Sequence, residues 1–154
     1  MRALPYHVLI NEVILMNKEE IMKILPHRDN MLLIDEARSE GDRAYAKKKI
    51  IGDEWFLKGH FPGNPIVPGV ILCEILAQST CVLLSDGISK DKVPLFTGLN
   101  KVKFRNPVRP GDEFVTECVL TKKRPPFFFA EGKGYVDGKL CVSAEFSFAI
   151  ADKT

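Results

Sequence analysis

The chain has little of what marks metal, membrane or nucleic-acid chemistry. Its three histidines and four cysteines are scattered through 154 residues. No Cys-x-x-Cys or Cys/His pairing offers a zinc pattern, so Cys73, Cys81, Cys118 and Cys141 read as buried thiols in a reducing compartment. No charge sign dominates either: 22 Lys and Arg against 20 Asp and Glu leave +2, too small a balance to argue for nucleic acid. No apolar run approaches the roughly 18 residues a membrane-spanning helix needs. Repeats and low-complexity tracts are missing, as is a linker that would separate two domains. A soluble, cytoplasmic, single-domain protein without a cofactor is expected, with no nucleic-acid partner and no membrane insertion.

The length is enough for a proper core, and 45% apolar with 27% charged residues is ordinary for a globular domain. Residues 1–16 read as an N-terminal extension or a first edge strand. Pro5, His7, Asn11 and Glu12 interrupt its apolar stretch, and no small-residue cleavage site follows, so it is not a signal-peptide pattern. His7 lies in this extension and is assigned no role. The domain proper is expected over 17–154. Asn17 with Glu20 forms a capping box that opens a short helix, with Ile21, Ile24 and Leu25 as its apolar face and Pro26 as its stop. Strands are expected over 31–37, 44–51, 95–105, 113–123, 127–136 and 140–150. Turns fall at Asp86-Gly87 and Pro110-Gly111-Asp112, and Asp137-Gly138 closes a tight hairpin. The last strand alternates, with Leu140, Val142, Ala144, Phe146 and Phe148 on one face.

Between these elements lies the most informative stretch, Gly59 to Gln78. Residues 55–68 are too rich in Gly and Pro for a regular element, so turn chemistry shapes them. Residues 70–85 then form a helix that is apolar almost all round and must be enclosed. About six strands around one enclosed helix make an α+β domain in which an antiparallel sheet wraps the helix. A single curved sheet leaves one side of that helix open, so a homo-oligomer is expected on burial grounds.

Glu74 sits in this apolar helix, and burying a charge is costly unless it is paired or neutralised. At about 100° per residue, Glu74, Gln78, Cys81 and Ser85 share one stripe, and Gln78 is placed to bond the carboxyl and leave one edge free. Without further observations, a structurally satisfied buried acid is as good a reading as a catalytic one. His60 stands in the turn just upstream; a lone histidine in such a loop is more often structural or solvated. Pro68-Gly69 opens the helix and leaves its first amides free, so Gly69 admits a carbonyl to an oxyanion-type donor. A polarised carbonyl, a base and an acid together suit proton abstraction beside a carbonyl with loss of a leaving group from the next carbon. His60 is then the base, and Glu74 is the acid, kept protonated by apolar burial. His27, after the helix stop, reads as a charge partner for the helix C-terminus. Lys122-Lys123-Arg124, otherwise a solvated turn, would with Arg105 and Arg109 make a basic rim for an acidic partner.

These residues strongly resemble the (3R)-hydroxyacyl-acyl-carrier-protein dehydratases of the FabZ type. The match comprises residues 25–28 with 31–35, the whole of 59–78, and 103–112, and the similarity runs from about Asn17 to Ala149. The resemblance implies the hot-dog fold and a cofactor-free dehydration to a trans-2-enoyl thioester in fatty-acid elongation. Dehydration with added trans-2 to cis-3 isomerisation is the alternative; a hot-dog thioesterase and a non-catalytic carrier-binding subunit are further away. It also implies a dimer, often assembled as a trimer of dimers, with His60 facing Glu74 of the second subunit. Gly69 would hold the thioester carbonyl and Gln78 would support Glu74. The acyl chain, borne on the phosphopantetheine arm of acyl carrier protein, would run past Phe61, Pro68, Val70, Leu95 and Phe96. Arg105, Arg109, Lys122, Lys123 and Arg124 are the expected carrier contacts. Related enzymes have a cis peptide after the histidine, here His60–Phe61. Leu95 departs from the aromatic residue many relatives carry there, and residues 28–31 lack the usual Tyr-Pro.

Overall fold

In a computed structural model that describes residues 13–84, 88 and 90–154, seven strands form one antiparallel sheet. The strands are β1 (Ile14–Met16), β2 (Glu36–Glu40), β3 (Arg43–Lys49), β4 (Lys92–Phe104), β5 (Glu113–Arg124), β6 (Phe127–Val136) and β7 (Lys139–Asp152). Their order across the sheet is β1-β2-β3-β5-β6-β7-β4. The central helix, Gly69–Cys81, packs against β3, β5, β6 and β7 and runs on into a 3-10 turn at Val82–Leu84. This is the hot-dog fold expected from the sequence. No helix among the described residues is long and apolar enough to cross a membrane.

The local signals act as their chemistry requires. Asn17 caps the N-terminal helix, Lys18–Met22, through a reciprocal box: its Oδ1 accepts from the Glu20 amide at 2.9 Å, and Glu20 returns the bond at 2.9 Å. Asp137 and Gly138 take positive φ angles of 49° and 78°, the twist a two-residue hairpin needs to join β6 to β7. Val142, Ala144, Phe146, Phe148 and Ile150 of β7 are buried. Leu140, expected on the same face, is only partly so and Cys141, expected opposite, is buried, because the register shifts where β6 passes from Gly134 to Tyr135. Ile14–Met16, at the end of the extension, pairs with β2 as an edge strand. Ser85 and the Asp86-Gly87 turn, like residues 1–12 with His7, lie outside the described residues.

One expected strand is displaced. Residues 31–37 read as a strand, but Asp29–Met31 form a 3-10 turn and β2 begins only at Glu36. Leu32, Leu33 and Ile34 are buried. Their backbone, however, answers to side chains rather than to a neighbouring strand. Gln78 donates to the Met31 carbonyl and accepts from the Leu33 amide, both at 2.9 Å, and Trp55 Nε1 donates to the Asn30 carbonyl at 3.0 Å. An apolar run in sequence cannot distinguish a strand from a buried loop whose polar groups find partners elsewhere.

Two positions set stability tests. A Cβ added at Gly134 would overlap the ring of Phe114, which has no exposed surface. Gly134→Ala is therefore expected to cost about 1–3 kcal/mol in urea unfolding, the range for overpacking a closed core. Glu54 accepts from the amides of Ile51 at 2.9 Å and Gly52 at 2.8 Å and lies 3.7 Å from Lys48 Nζ. Burial alone would favour its neutral form, but these amides and Lys48 outweigh it and hold the carboxyl below its ordinary 4.5. The carboxylate's stabilisation is fully present above the unfolded-state value and disappears as pH falls through the lower folded value. Glu54→Gln should lose about 1 kcal/mol at pH 7. Its gap to wild type should close as the pH drops below 4.5, measured by denaturant unfolding across pH.

Candidate active site

The loop from Gly59 to Pro68 is folded on itself around His60. Phe61 and Asn64 exchange backbone hydrogen bonds at 3.0 and 2.8 Å across Pro62-Gly63, and the Ile66 amide donates to the His60 carbonyl at 2.8 Å. The same Ile66 turns its carbonyl to His60 Nδ1, also at 2.8 Å. A carbonyl only accepts, so Nδ1 carries the proton and Nε2 is left as a bare lone pair, the form a general base requires. The His60–Phe61 peptide is cis, and the two rings stack with centroids 4.2 Å apart. Val67 ties the loop's far end to the Val108 carbonyl at 2.8 Å, and Arg109 Nη1 donates to Asn64 Oδ1 at 2.8 Å. Arg109, expected on a carrier-facing rim, thus also braces the loop that holds His60.

The loop ends where the central helix starts. Pro68 is its N-cap, and the amides of Gly69 and Val70 make no hydrogen bond among the described residues. An ideal Cβ at Gly69 would stand 2.8 Å from the Phe104 ring of β4. The missing side chain therefore admits an aromatic ring as well as leaving the amide open, a packing role the sequence did not signal. Val70 is exposed, and Phe61, next to His60 in the loop, is half exposed.

Glu74 lies in the helix as expected, and Gln78 Nε2 reaches its Oε2 at 3.0 Å. Gln78, 1% exposed, thereby spends its amide on three partners: Glu74, Met31 and Leu33. With Oε2 engaged, Oε1 makes no hydrogen bond among the described residues and is not sealed from solvent. Glu74, Gln78 and Cys81 line a cavity of about 210 Å³ with His27, Ala77, Pro94, Leu95, Phe96 and Phe148. The stripe read from the helix period is therefore the wall of a real space, closed by the β4 residues expected to gate it. No residue of the His60 loop lines this cavity, and no hydrogen bond or ion pair joins His60 to Glu74 among the described residues.

His27 is the residue the sequence misjudged. It is Arg28 that serves the helix end, donating to the carbonyls of Met22, Leu25 and His27 at 2.9, 2.8 and 2.7 Å. Arg28 is extended, with φ −141° and ψ 161°, so neighbouring side chains point to opposite sides and His27 turns inward. Its Nε2 lies 3.4 Å from Glu74 Oε2. The signal was the stop at Pro26: an extended chain beyond it cannot send both His27 and Arg28 back to the helix end.

The basic candidates divide between two places. The Arg105 amide bonds the Cys141 carbonyl, whereas Lys123 pairs with Phe128, which faces Phe148 on β7. From Cys141 to Phe148 along that strand is about 23 Å at 3.3 Å per residue. Arg105 therefore lies at one end of the sheet, and Lys122, Lys123 and Arg124 lie at the other, level with Leu95 and Phe96. Within one chain they form no continuous rim. Lys123 already pairs with Asp42 at 3.2 Å, and Lys122 lies over the Phe129 ring. No cluster of three or more His, Cys, Asp or Glu among the described residues gathers as a metal site.

The comparisons with known proteins bear on this geometry. The family model described as FabA-like domain matches residues 25–145. The chain belongs to the FabA-like family. This FabA-like domain is 42% identical over 139 residues to the 3-hydroxyacyl-acyl-carrier-protein dehydratase FabZ of Syntrophotalea carbinolica, covering 88% of this chain and 95% of that one. It is 43% identical to the FabZ of Staphylococcus carnosus, covering 86% and 94%. Among solved structures, the dehydratase heterocomplex ApeI:P from Xenorhabdus doucetiae superposes with a TM-score of 0.76 at 17% identity, over 86% of this chain and 91% of that one. A hypothetical thioesterase with coenzyme A from Streptococcus pneumoniae aligns at 0.56 and 10%, over 73% and 81%. These two likenesses speak for the fold alone.

The cysteines of the FabA-like domain are not nucleophiles. Burial above all pushes the Cys81 thiol far up. Burial likewise pushes Cys118 up to about 12. A thiol so held is protonated at neutral pH and unreactive. Iodoacetamide at pH 8 should leave both unlabelled in the folded protein, with mass spectrometry detecting their labelling only after denaturant is added.

Proposed function

We propose that the protein dehydrates (3R)-3-hydroxyacyl thioesters carried on acyl carrier protein to the trans-2-enoyl thioester, in fatty-acid elongation. The observation that carries the reading is the near-full-length identity to FabZ dehydratases together with a histidine whose Nε2 is bare and a glutamate whose Oε1 is open. His60 Nε2 takes the proton beside the thioester carbonyl. The Gly69 amide, at the positive end of the helix, holds the oxygen on which negative charge develops. Glu74 Oε1 gives its proton to the departing hydroxyl, which leaves as water. One C–H and one C–O bond break, a C=C bond forms, and the site resets when the proton on His60 returns to Glu74.

His60 and Glu74 come from opposite subunits of a dimer in this reading. Strand β4 supports it: thirteen residues long at the sheet edge, it exposes Leu95, Phe96, Leu99 and Phe104. A long apolar edge is a pairing surface that a folded protein must cover, and a second copy of the same edge covers it. Further association of dimers into a trimer is part of the same proposal. Lys122, Lys123 and Arg124, level with the mouth residues Leu95 and Phe96, are the contacts it assigns to the acidic carrier, with Arg105 and Arg109 contributing from the other end. A cytoplasmic setting accords with four unpaired cysteines.

The test mixes two inactive variants. His60→Ala and Glu74→Gln should each lose about three orders of magnitude in rate on a 3-hydroxyacyl carrier-protein thioester. Refolded together in equal amounts, half the dimers are hybrids with one intact site, so about a quarter of the wild-type rate should return. Mixed samples as inactive as the parents would place both groups on one chain. Product analysis should show trans-2-enoyl thioester; cis-3-enoyl product would add isomerisation, and free acid would replace the reading with thioester hydrolysis.

A further inference from the structure

We propose that His27 is a positioning residue for Glu74: its Nε2–H holds Oε2, so that Oε1 is the oxygen that delivers the proton. The inference rests on the dehydratase reading for its consequence and on the geometry for its substance. His27 and Glu74 are mostly buried, with side chains 18% and 22% exposed, and Nε2 stands 3.4 Å from Oε2. The ring has little freedom to turn elsewhere, because Arg28 clamps the chain on both sides of it through the carbonyls of Leu25 and His27.

The other ring nitrogen decides the protonation pattern. His27 Nδ1 is buried and has no hydrogen-bond partner among the described residues. A buried N–H without an acceptor, on a charged ring above all, costs more than a buried lone pair without a donor. The proton therefore sits on Nε2, facing the carboxyl, and His27 acts as a neutral donor. A neutral donor leaves Glu74 free to hold its proton on Oε1, which an adjacent imidazolium would oppose. The remaining groups around the carboxyl fit this arrangement. Gln78 donates to the same Oε2, Cys81 is a protonated thiol, and β4 and β7 present only Pro94, Leu95, Phe96 and Phe148.

The distance carries a kinetic consequence. At 3.4 Å the contact is longer than the ordinary range for an N–H···O bond and is not a formed hydrogen bond in the resting site. As the proton leaves Oε1, negative charge grows on the carboxylate and draws Nε2–H into a short hydrogen bond. An interaction that is stronger in the transition state than in the ground state raises kcat and leaves KM alone.

Two variants and one spectrum test this in the full-length oligomer. His27→Phe keeps an aromatic ring but no donor, and kcat should fall about tenfold or more with KM within about twofold. His27→Gln restores an N–H near the Nε2 position and should stay within about threefold of wild type. A packing role predicts the reverse ranking, with Phe the better replacement, and that result would overturn the proposal. In the unsubstituted protein, long-range ¹⁵N–¹H correlations of the His27 ring should report the Nε2–H tautomer at pH 7.5. A proton on Nδ1 there would sink it even if His27→Phe fails to fold. Absence of wild-type turnover would instead remove the dehydratase reading, while the spectrum, which needs no substrate, still decides how His27 faces Glu74.

Discussion

Ten of the thirteen residues of the central helix are buried, and three of the ten are Gln78, Ser79 and Thr80. Enclosing such a helix means finding partners for every polar group taken in with it. Ser79 bonds the Ile75 carbonyl and Thr116 on β5, and Thr80 turns back to the Leu76 carbonyl. Gln78 has no such local exit. Its amide reaches across to Met31 and Leu33 and so bends an apolar segment into a loop that covers the helix. The bond it has left fixes Oε2 of Glu74. Fold and site meet in this one side chain: what satisfies the buried amide also orients the acid.

The two histidines near the chemistry are set by opposite devices. His60 is given a carbonyl on Nδ1, which hands it a proton and bares Nε2 for use as a base. His27 is given nothing on Nδ1 and a carboxyl opposite Nε2, which directs its proton toward Glu74. A hydrogen-bond acceptor placed against one ring nitrogen, or withheld from it, decides whether the imidazole takes a proton or presents one.

Much of this was legible in the residues. The capping box at Asn17, the Asp137-Gly138 hairpin and the alternation of β7 from Val142 onward depend on neighbours two to four positions apart and formed as read. Only at the start of β7 does the pattern slip, with Cys141 buried and Leu140 partly exposed. The pairing of Glu74 with Gln78 is of the same kind, since one helical turn brings them together. The strand expected at 31–37 did not form there, because its hydrogen-bond partners come from a residue 45 or more positions away. His27 was misjudged for a similar reason: its place depends on how Arg28 returns to the helix and on where the sheet carries Glu74.

The sequence by itself determined the enclosed helix, the Gly-Pro loop ahead of it and the chemical kinds brought near its start, because local periodicity and turn chemistry act over a few residues. Only the tertiary structure decided which nitrogen of each histidine holds its proton and which oxygen of Glu74 stays open. It also decided that the basic residues part to two ends of the sheet and that Phe104 fills the space at Gly69. Those outcomes rest on distances between atoms far apart in the chain, set when the sheet closes around the helix and each buried polar group takes the partner within its reach.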